Sequence, residues 1–348
     1  MNIDLIYFYW TIGILLGFQL ILLALLCIRK WQRNRENDRQ KQVYEDNLEL
    51  FVDYLMTDNW MIPKALVLRK NFEVAERIFS ETINDVKDTY MLEKLEQAAE
   101  SIFSETYLSQ LRRGSWSTRV NTLYFIEDFK LTSLKSFLQQ HLKKLKVWDE
   151  EKNQTVRALA ALNDLSIIDY LNKDRSATLQ HYLDVFSRFD DDTFGNAIKL
   201  SKENYNPMCR VAILSFIGLT KNVRYQPILE VELQNENLEM RIQALKGLYR
   251  LSYISNIELL IPFFDSSSWQ ERMFSCRISG VLMLEVYEPF LEKLLGDKEW
   301  WVRNAAAESL LQIFGEEKLL FLSKNHLDLY ARDMAVQWIS SKKGGSKK

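Results

Sequence analysis

Residues 300–315 read WWVRNAAAESLLQIFG, and this stretch decides the fold because its pattern recurs upstream at a fixed step. The arginine at its fourth position is the last of an evenly spaced column of four, Arg210, Arg241, Arg272 and Arg303. A constant step of about 31 residues lies within the range of roughly 20 to 50 that is typical of solenoids and other repeat arrays. The sequence therefore predicts four copies of one structural unit.

Each arginine of this column follows, by four residues, a position that suits the start of a helix. These positions are Asn206, Asn237, Ser268 and Glu299. The first three carry a side-chain oxygen that can accept a hydrogen bond from an otherwise unpaired amide. Pro207 suits the first helical position, and Ser268 with Glu271 fits a capping box. Glu299 is the weakest cap, so we expect Asp297 to serve in its place.

The same constant step marks a second helix in each unit. Its apolar column is Leu229, Leu260, Leu291 and Leu322, and the first helices carry Ile213, Ala244, Ser275 and Ala306 three residues after each arginine. Two short amphipathic helices cannot bury their apolar faces alone, so neighbouring units must stack. The sequence predicts an all-α protein, an α-solenoid of stacked helical hairpins.

The stretch at 300–315, with Asp297 before it, resembles a HEAT repeat, specifically the short form found in phycobilisome-lyase-type proteins. The resemblance covers residues 204–322, is weaker over 112–203, and gives way to plain helical character over 43–111. It implies that Arg241, Arg272 and Arg303 pair with acidic groups of neighbouring repeats. We therefore interpret the column as a structural ladder. We interpret the tryptophans at 116, 269 and 300 as packing anchors between repeats.

The N-terminal residues 5–28, LIYFYWTIGILLGFQLILLALLCI, carry no charge. As a helix they would cover about 36 Å, more than the roughly 30 Å hydrocarbon core of a bilayer. Residues 29–41 are rich in Lys and Arg, and the positive-inside rule then places everything after residue 28 in the cytoplasm. The residues expected at the membrane surface are Arg29, Lys30, Trp31, Arg33 and Arg35. Gly13 and Gly17 form a small-xxx-small pair that is compatible with a homodimer.

The chain divides, on this interpretation, into five segments. They are a transmembrane helix at 5–28, a basic juxtamembrane linker at 29–42, irregular helical repeats at 43–203, regular repeats at 204–340 and a flexible basic tail at 341–348. The near-neutral net charge of −2 hides an uneven distribution, because residues 42–340 hold 35 Lys and Arg against 44 Asp and Glu. This acidic body argues against binding of nucleic acid through its phosphates.

No catalytic or metal-binding motif is found, neither GxGxxG, GxxxxGK, HExxH, GxSxG nor CxxC. The three histidines lack ligand spacing, and Cys27, Cys209 and Cys276 stand far apart. We therefore expect no enzyme activity, no cofactor and no metal.

The leading hypothesis is a single-pass protein of the cell membrane, with its N-terminus outside and a cytoplasmic HEAT-like solenoid. This solenoid would bind another protein, soluble or integral to the membrane, and hold it at the inner face, while the N-terminal helix contacts lipid. The alternative is a lyase-like HEAT enzyme, or a factor that handles a small ligand or a chromophore. That alternative would need reactive groups in a pocket, and only Cys209 and Cys276 offer thiols in the repeats.

Overall fold

Helices are the only regular secondary structure among the residues that the structure describes. The computed structural model describes residues 3–57, 61–203 and 206–345, and the side chains within them except at 3–9, 11–12, 202–203 and 341–345. The helices are α1 (Ile3–Met56), α2 (Lys64–Val67), α3 (Phe72–Asp85), α4 (Thr89–Arg113), α5 (Trp116–Phe129), α6 (Lys135–Leu142), α7 (Glu150–Ala161), α8 (Ser166–Lys173), α9 (Leu179–Phe186), α10 (Asp191–Glu203), α11 (Pro207–Thr220), α12 (Gln226–Glu232), α13 (Leu238–Leu251), α14 (Ile261–Phe264), α15 (Trp269–Val281), α16 (Glu288–Leu295), α17 (Trp300–Asn325) and α18 (Leu329–Gly345). Short 3-10 turns lie at Arg69–Asn71, Thr132–Leu134, Val223–Tyr225, Ile257–Leu260 and Glu285–Tyr287. The predicted all-α class is confirmed.

The chain forms two compact units, Met1–Leu162 and Asn163–Lys348, called unit 1 and unit 2 below. Unit 2 contains the four copies that follow the constant step. The boundaries predicted at residues 203 and 204 mark where the sequence pattern becomes regular, and they stay a prediction. Helix α18 continues to Gly345, into the segment predicted as a flexible tail, and residues 346–348 lie outside the described part.

Helix α1 is a single helix of 54 residues that joins the apolar segment to the core of unit 1. Its apolar part is long and apolar enough to cross a membrane, and none of that stretch is buried. The helix continues through residues 29–42, the segment predicted as a linker. At its C-terminal end Phe51, Tyr54 and Leu55 are buried. The buried Lys94 of α4 donates hydrogen bonds to the carbonyls of Tyr54 and Thr57, where α1 has no basic residue in its own last turn.

The hairpins of unit 2 pack through the apolar columns that the sequence predicts. Leu229, Leu260, Leu291 and Leu322 are buried, as are Ile213, Ala244, Ser275 and Ala306. Gly218 and Gly247 let α11 and α13 approach closely, since a Cβ at Gly218 would lie 2.8 Å from the Cα of Gly247. Gly315 has φ +78° and breaks α17 into the two helices of one hairpin. The predicted solenoid of stacked hairpins is confirmed.

The predicted helix starts are confirmed at all four copies, and the predicted side-chain caps are confirmed at the first two. The side chain of Asn206 accepts hydrogen bonds from the amides of Met208 and Cys209, and Asn237 accepts one from Glu239.

The first helices of the other two copies begin at the predicted residues but are capped differently. Ser268 makes no cap, and Glu271 faces Arg241 and Ser266 instead, so the predicted capping box is wrong. At the fourth copy Asp297 Oδ1 accepts from the amide of Glu299 at 2.8 Å, as expected.

Candidate functional site

Three of the ladder arginines make the same contact with the loop that precedes their helix. In each case Nη1 donates to the carbonyl oxygens of the residues six and five positions earlier. The pairs are Arg241 with Asn235 and Glu236 (2.9 and 2.9 Å), Arg272 with Ser266 and Ser267 (2.7 and 3.2 Å), and Arg303 with Asp297 and Lys298 (2.7 and 3.1 Å). The guanidinium thereby ties the loop to the first turn of the helix.

Two of these arginines also reach an acid of the following copy. Arg241 Nε lies 2.6 Å from Glu271 Oε1. Arg272 and Asp297 form a bidentate ion pair, in which Nε donates to Oδ2 at 2.7 Å and Nη2 donates to Oδ1 at 2.9 Å. Such planar, paired geometry is what arginine offers a carboxylate. Successive repeats of unit 2 are therefore joined through the starts of their first helices.

Arg210 pairs within its own copy. Its guanidinium bonds the carboxylate of Glu232, which is almost fully buried at the end of α12. Asn235 Nδ2 donates to the other oxygen of that carboxylate at 2.8 Å.

The pairing shifts the proton equilibria of its members. The hydrogen bonds that Arg272 donates to Asp297 raise the pKa of Arg272. Burial alone would raise the pKa of Asp297, but the bond from Arg272 and the amide of Glu299 together lower it below its usual value. Both groups are therefore charged at neutral pH.

Arg303 departs from the role that the HEAT resemblance implied. In the part of the chain that the structure describes it has no acidic partner, and its guanidinium lies over the ring of Tyr330, 5.3 Å from the centroid. Helix α18 begins at Leu329, sooner after the start of α17 than the constant step predicts, and Tyr330 is its second residue. The expectation of an acid pair at this copy is wrong.

Unit 1 contains the same arrangement, although its sequence is irregular. Arg119 Nη1 donates to the carbonyl of Gly114 at 2.9 Å, and its Nε and Nη2 bond Glu151 at 2.6 and 2.7 Å. His141 Nε2 lies 2.8 Å from the same carboxylate. The placement of Trp116 three residues before Arg119, matching the later copies, was the signal for this pair.

The starts of α13, α15, α17 and α18, joined by Arg241, Arg272 and Arg303, form one edge of unit 2, which we call the ladder edge. Exposed apolar side chains stand at the first or second position of these helices. They are Leu238, Trp300, Trp301, Leu329 and Tyr330. Trp300 is 41% exposed and packs edge-on against Trp301, with ring centroids 4.8 Å apart. Trp116 is 49% exposed, so neither Trp116 nor Trp300 is the buried packing anchor that the sequence predicts.

A groove of about 490 Å³ opens beside the ladder edge. Arg241 and Glu271 lie in its wall, together with Asn235, Pro262 and Phe263. The groove thus combines an ion pair, an amide and apolar side chains, a mixture that suits a segment of polypeptide.

The residues expected at the membrane surface project from α1. Arg29, Lys30, Trp31, Arg33 and Arg35 are all exposed. Arg35 lies over the ring of Trp31, 5.5 Å from its centroid. Gly13 and Gly17 have open space around them, since a Cβ there would meet no atom within 4 Å.

The thiols of the repeats are buried inside unit 2. Burial raises the pKa of the Cys209 thiol to about 12 and raises that of Cys276 further. Among the described residues, no group of three His, Cys, Asp or Glu side chains could hold a metal ion.

Comparison with known proteins gives one family match. The HEAT repeat family model matches residues 289–314, which cover most of α16 and the first half of α17. No curated protein matches the chain. Among solved structures, a crystal structure of an engineered protein is 14% identical, covers 83% of this chain and 87% of its own, and has a TM-score of 0.34. With the stacked hairpins described above, the match identifies a HEAT-like repeat protein.

Proposed function

We propose that this chain is a membrane-anchored scaffold whose HEAT-like repeats bind another protein and hold it at the cytoplasmic face of the cell membrane. The observation that carries the proposal is helix α1, which is apolar and exposed at one end and part of a folded repeat unit at the other. The basic residues 29–41 support the cytoplasmic placement of the repeats. Anchoring raises the local concentration of a bound partner, which is how a tether acts without chemistry.

The ladder edge is the surface that we propose for the partner. Its aromatic residues Trp300, Trp301 and Tyr330 are exposed, although aromatic side chains are normally buried or held at interfaces. Repeat proteins of this class use extended surfaces for recognition. The neighbouring groove would accept an extended segment of the partner.

The alternative of a lyase-like enzyme or chromophore-handling factor is not favoured. Its only candidate thiols in the repeats, Cys209 and Cys276, are buried and protonated at neutral pH. A bilin or another electrophile would have no thiolate to attack it. The phycobilisome-lyase-like subtype of the repeats therefore stays a prediction, and no reactive thiol of the repeats supports it.

The test is capture of the partner in mild detergent with a tagged full-length chain. We expect one protein to co-purify with the wild type and to be lost with Trp301→Ser combined with Tyr330→Ser. Val231→Ser, an exposed apolar residue on α12, is the matched control and should retain the partner. Equal recovery from all three chains would contradict the assignment of the ladder edge, and recovery of no specific protein would contradict the scaffold function.

A further inference from the structure

The direction of α1 determines which end of unit 1 faces the bilayer. The ring of Phe51 lies 4.5 Å from that of Phe79, and Lys94 Nζ donates to the carbonyl of Thr57 at 2.6 Å. These contacts lie at the end of α1 that is remote from the apolar residues 5–28. The opposite end of unit 1 therefore faces the membrane, an inference that rests on the proposed function.

The start of α3 lies at this membrane-facing end. Arg39 of α1 donates to Asn71 Oδ1 at 2.9 Å and to the carbonyl of Lys70 at 3.0 Å. About 16 Å of helix separates Arg39 from residue 28, the end of the apolar segment. The side chains of Arg69 and Lys70 are exposed at this level.

Helix α4 runs antiparallel to α1 and brings further arginines to the same end. It begins near Lys94, beside the C-terminal end of α1. Further along, the ring of Tyr107 lies 5.7 Å from that of Phe72, the first residue of α3. Arg113 follows Tyr107 by six residues, so it extends about 9 Å beyond the start of α3 toward the bilayer. Arg69 and Arg113 line one open groove of about 750 Å³, whose only acidic lining residue is Glu105.

The turns before α5 and α7 also reach this end. The ring of Phe125 stacks on Tyr107 at 5.9 Å, so Trp116, nine residues earlier, lies about 13 Å beyond Tyr107. Trp116 Nε1 donates to Asp149 Oδ2 at 3.3 Å, which brings the loop before α7 alongside. The exposed residues of that loop include Lys143, Lys144, Lys146 and Val147.

Charge and apolar exposure are concentrated at this end. We call the surface formed by Arg69, Lys70, Arg113, Lys144 and Lys146 the basic end of unit 1. Val67 and Leu68, exposed beside Arg69, Trp116 (49% exposed) and Val147 (73% exposed) add apolar side chains to it. The turn between α3 and α4 at the opposite end carries Asp85 and Asp88 against Lys87. The exposed acids at the start of α7 are Asp149 and Glu150, and the five cations of the basic end outnumber them.

We propose that the basic end of unit 1 docks on the anionic phospholipid headgroups of the leaflet that anchors α1. Arg39 lies about 16 Å along the helix from the hydrocarbon edge, and Arg113 and Trp116 lie closer to it. The headgroup layer of roughly 6 Å and the tilt of the helix shorten the distance between these residues and the headgroups. The remaining distance between the basic end and the headgroups lies within the reach of Lys and Arg side chains. It is also close to the Debye length of about 8 Å, over which charges attract in physiological salt. Exposed Trp and Val side chains enter the interfacial layer once the charges bring the unit close.

The test measures the depth of Val147 in full-length protein reconstituted into vesicles. A fluorophore is attached at Val147→Cys in a Cys27→Ser background, because Cys209 and Cys276 are buried. We expect headgroup spin-labelled lipid to quench it several-fold more strongly in phosphatidylcholine mixed with phosphatidylglycerol than in phosphatidylcholine alone. A label at Lys87→Cys, at the opposite end, is the matched control and should stay unquenched in both.

Two further measurements decide whether the basic residues cause the docking, and they distinguish a failure of the docking from a failure of the proposed membrane anchor. Replacing Arg113, Lys144 and Lys146 by Gln should reduce quenching in anionic vesicles to the neutral level, with an unchanged melting temperature. Alkaline extraction of the chain from the vesicles would contradict the proposed membrane anchor. If the chain stays integral but the Val147 label is quenched equally in both lipids, or in neither, the docking alone is wrong. Absence of quenching is also the result expected if the basic end binds an acidic protein instead.

Discussion

Among single residues, the Arg272–Asp297 pair is the most enclosed contact of the ladder, with side chains 7% and 8% exposed. Arg272→Ala would leave the carboxylate of Asp297 buried without its main partner and would free the carbonyls of Ser266 and Ser267. We expect a loss of about 2 to 3 kcal/mol in the free energy of unfolding. We expect Arg272→Ala to melt at a lower temperature than the wild type in detergent and to retain partner binding.

Arg303→Ala is the matched control for this variant. Arg303 makes the same loop contacts but lacks an acidic partner among the described residues, so its loss should cost about 1 kcal/mol. If the two variants were equally destabilised, the ion pair would not be what holds the copies together.

The lowered pKa of Asp297 makes the stability of unit 2 depend on pH. A carboxyl whose pKa is lower in the folded chain stabilises that chain above its unfolded pKa, about 4, and this contribution is lost as the pH falls through the folded value. We expect the melting temperature to fall on acidification below about pH 4. In Asp297→Asn the fall should be shallower, and an identical slope in both chains would contradict the assignment.

The arginines of the ladder could be predicted from sequence, whereas their partners could not. The arginine column repeats at a constant step, but its acids stand 22, 30 and 25 residues after Arg210, Arg241 and Arg272. A partner at a variable offset leaves no period in the sequence. Glu271 was misassigned to a capping box because its local spacing fits one, while the tertiary contact with Arg241 is stronger.

For pairs of helices, α11 and α13 approach each other closely at Gly218 and Gly247. In Gly218→Ala the new methyl group would lie 2.8 Å from the Cα of Gly247, so the two helices must separate. We expect a loss of about 2 kcal/mol, seen as a lower melting temperature.

Gly195→Ala in α10 is the comparison for this prediction. Its Cβ would meet only the hydroxyl of Tyr225, at 4.0 Å, so the better helix propensity of alanine should keep or raise stability by up to about 1 kcal/mol. Equal destabilisation by both substitutions would show that the close approach of α11 and α13 is not what Gly218 provides.

The helices of unit 1 were harder to predict than those of unit 2. Its core is a cluster of aromatic rings, with Phe103 5.1 Å from both Phe79 and Phe129, rather than columns of leucine and alanine at a fixed step. Large rings fill space in many orientations, so they impose no period on the sequence. The one periodic trace that survives is the placement of Trp116 and Arg119.

For the whole molecule, the basic residues 29–41 predict that unit 1 lies on the cytoplasmic side of the membrane. A thiol at Lys87→Cys in the Cys27→Ser background lies in unit 1 and should escape a membrane-impermeant maleimide in intact cells. It should react once the cells are opened. Labelling before opening would reverse the orientation given by the basic residues 29–41.

The sequence predicts a basic juxtamembrane linker at residues 29–42, and in the structure this segment is continuous helix. Its helical state could not be predicted because residues 29–42 lack apolar periodicity, which is the usual sign of a packed helix. Helix is compatible with their composition, and Glu36 bonds Arg39 one turn later, at a distance of 2.5 Å. A charged segment between an apolar helical stretch and the packed end of the same helix needs no apolar face to remain helical.

This continuity has a mechanical consequence for a chain anchored through α1. A domain joined to its membrane anchor by a flexible linker would rotate freely and could expose any of its surfaces to a partner. In a chain anchored through α1, the membrane-spanning stretch and the part of α1 that packs in unit 1 are one continuous helix. A rotation or a change of tilt of the spanning stretch therefore reorients unit 1. In such a chain, bilayer thickness or a neighbouring transmembrane helix would set the orientation of unit 1 relative to the membrane.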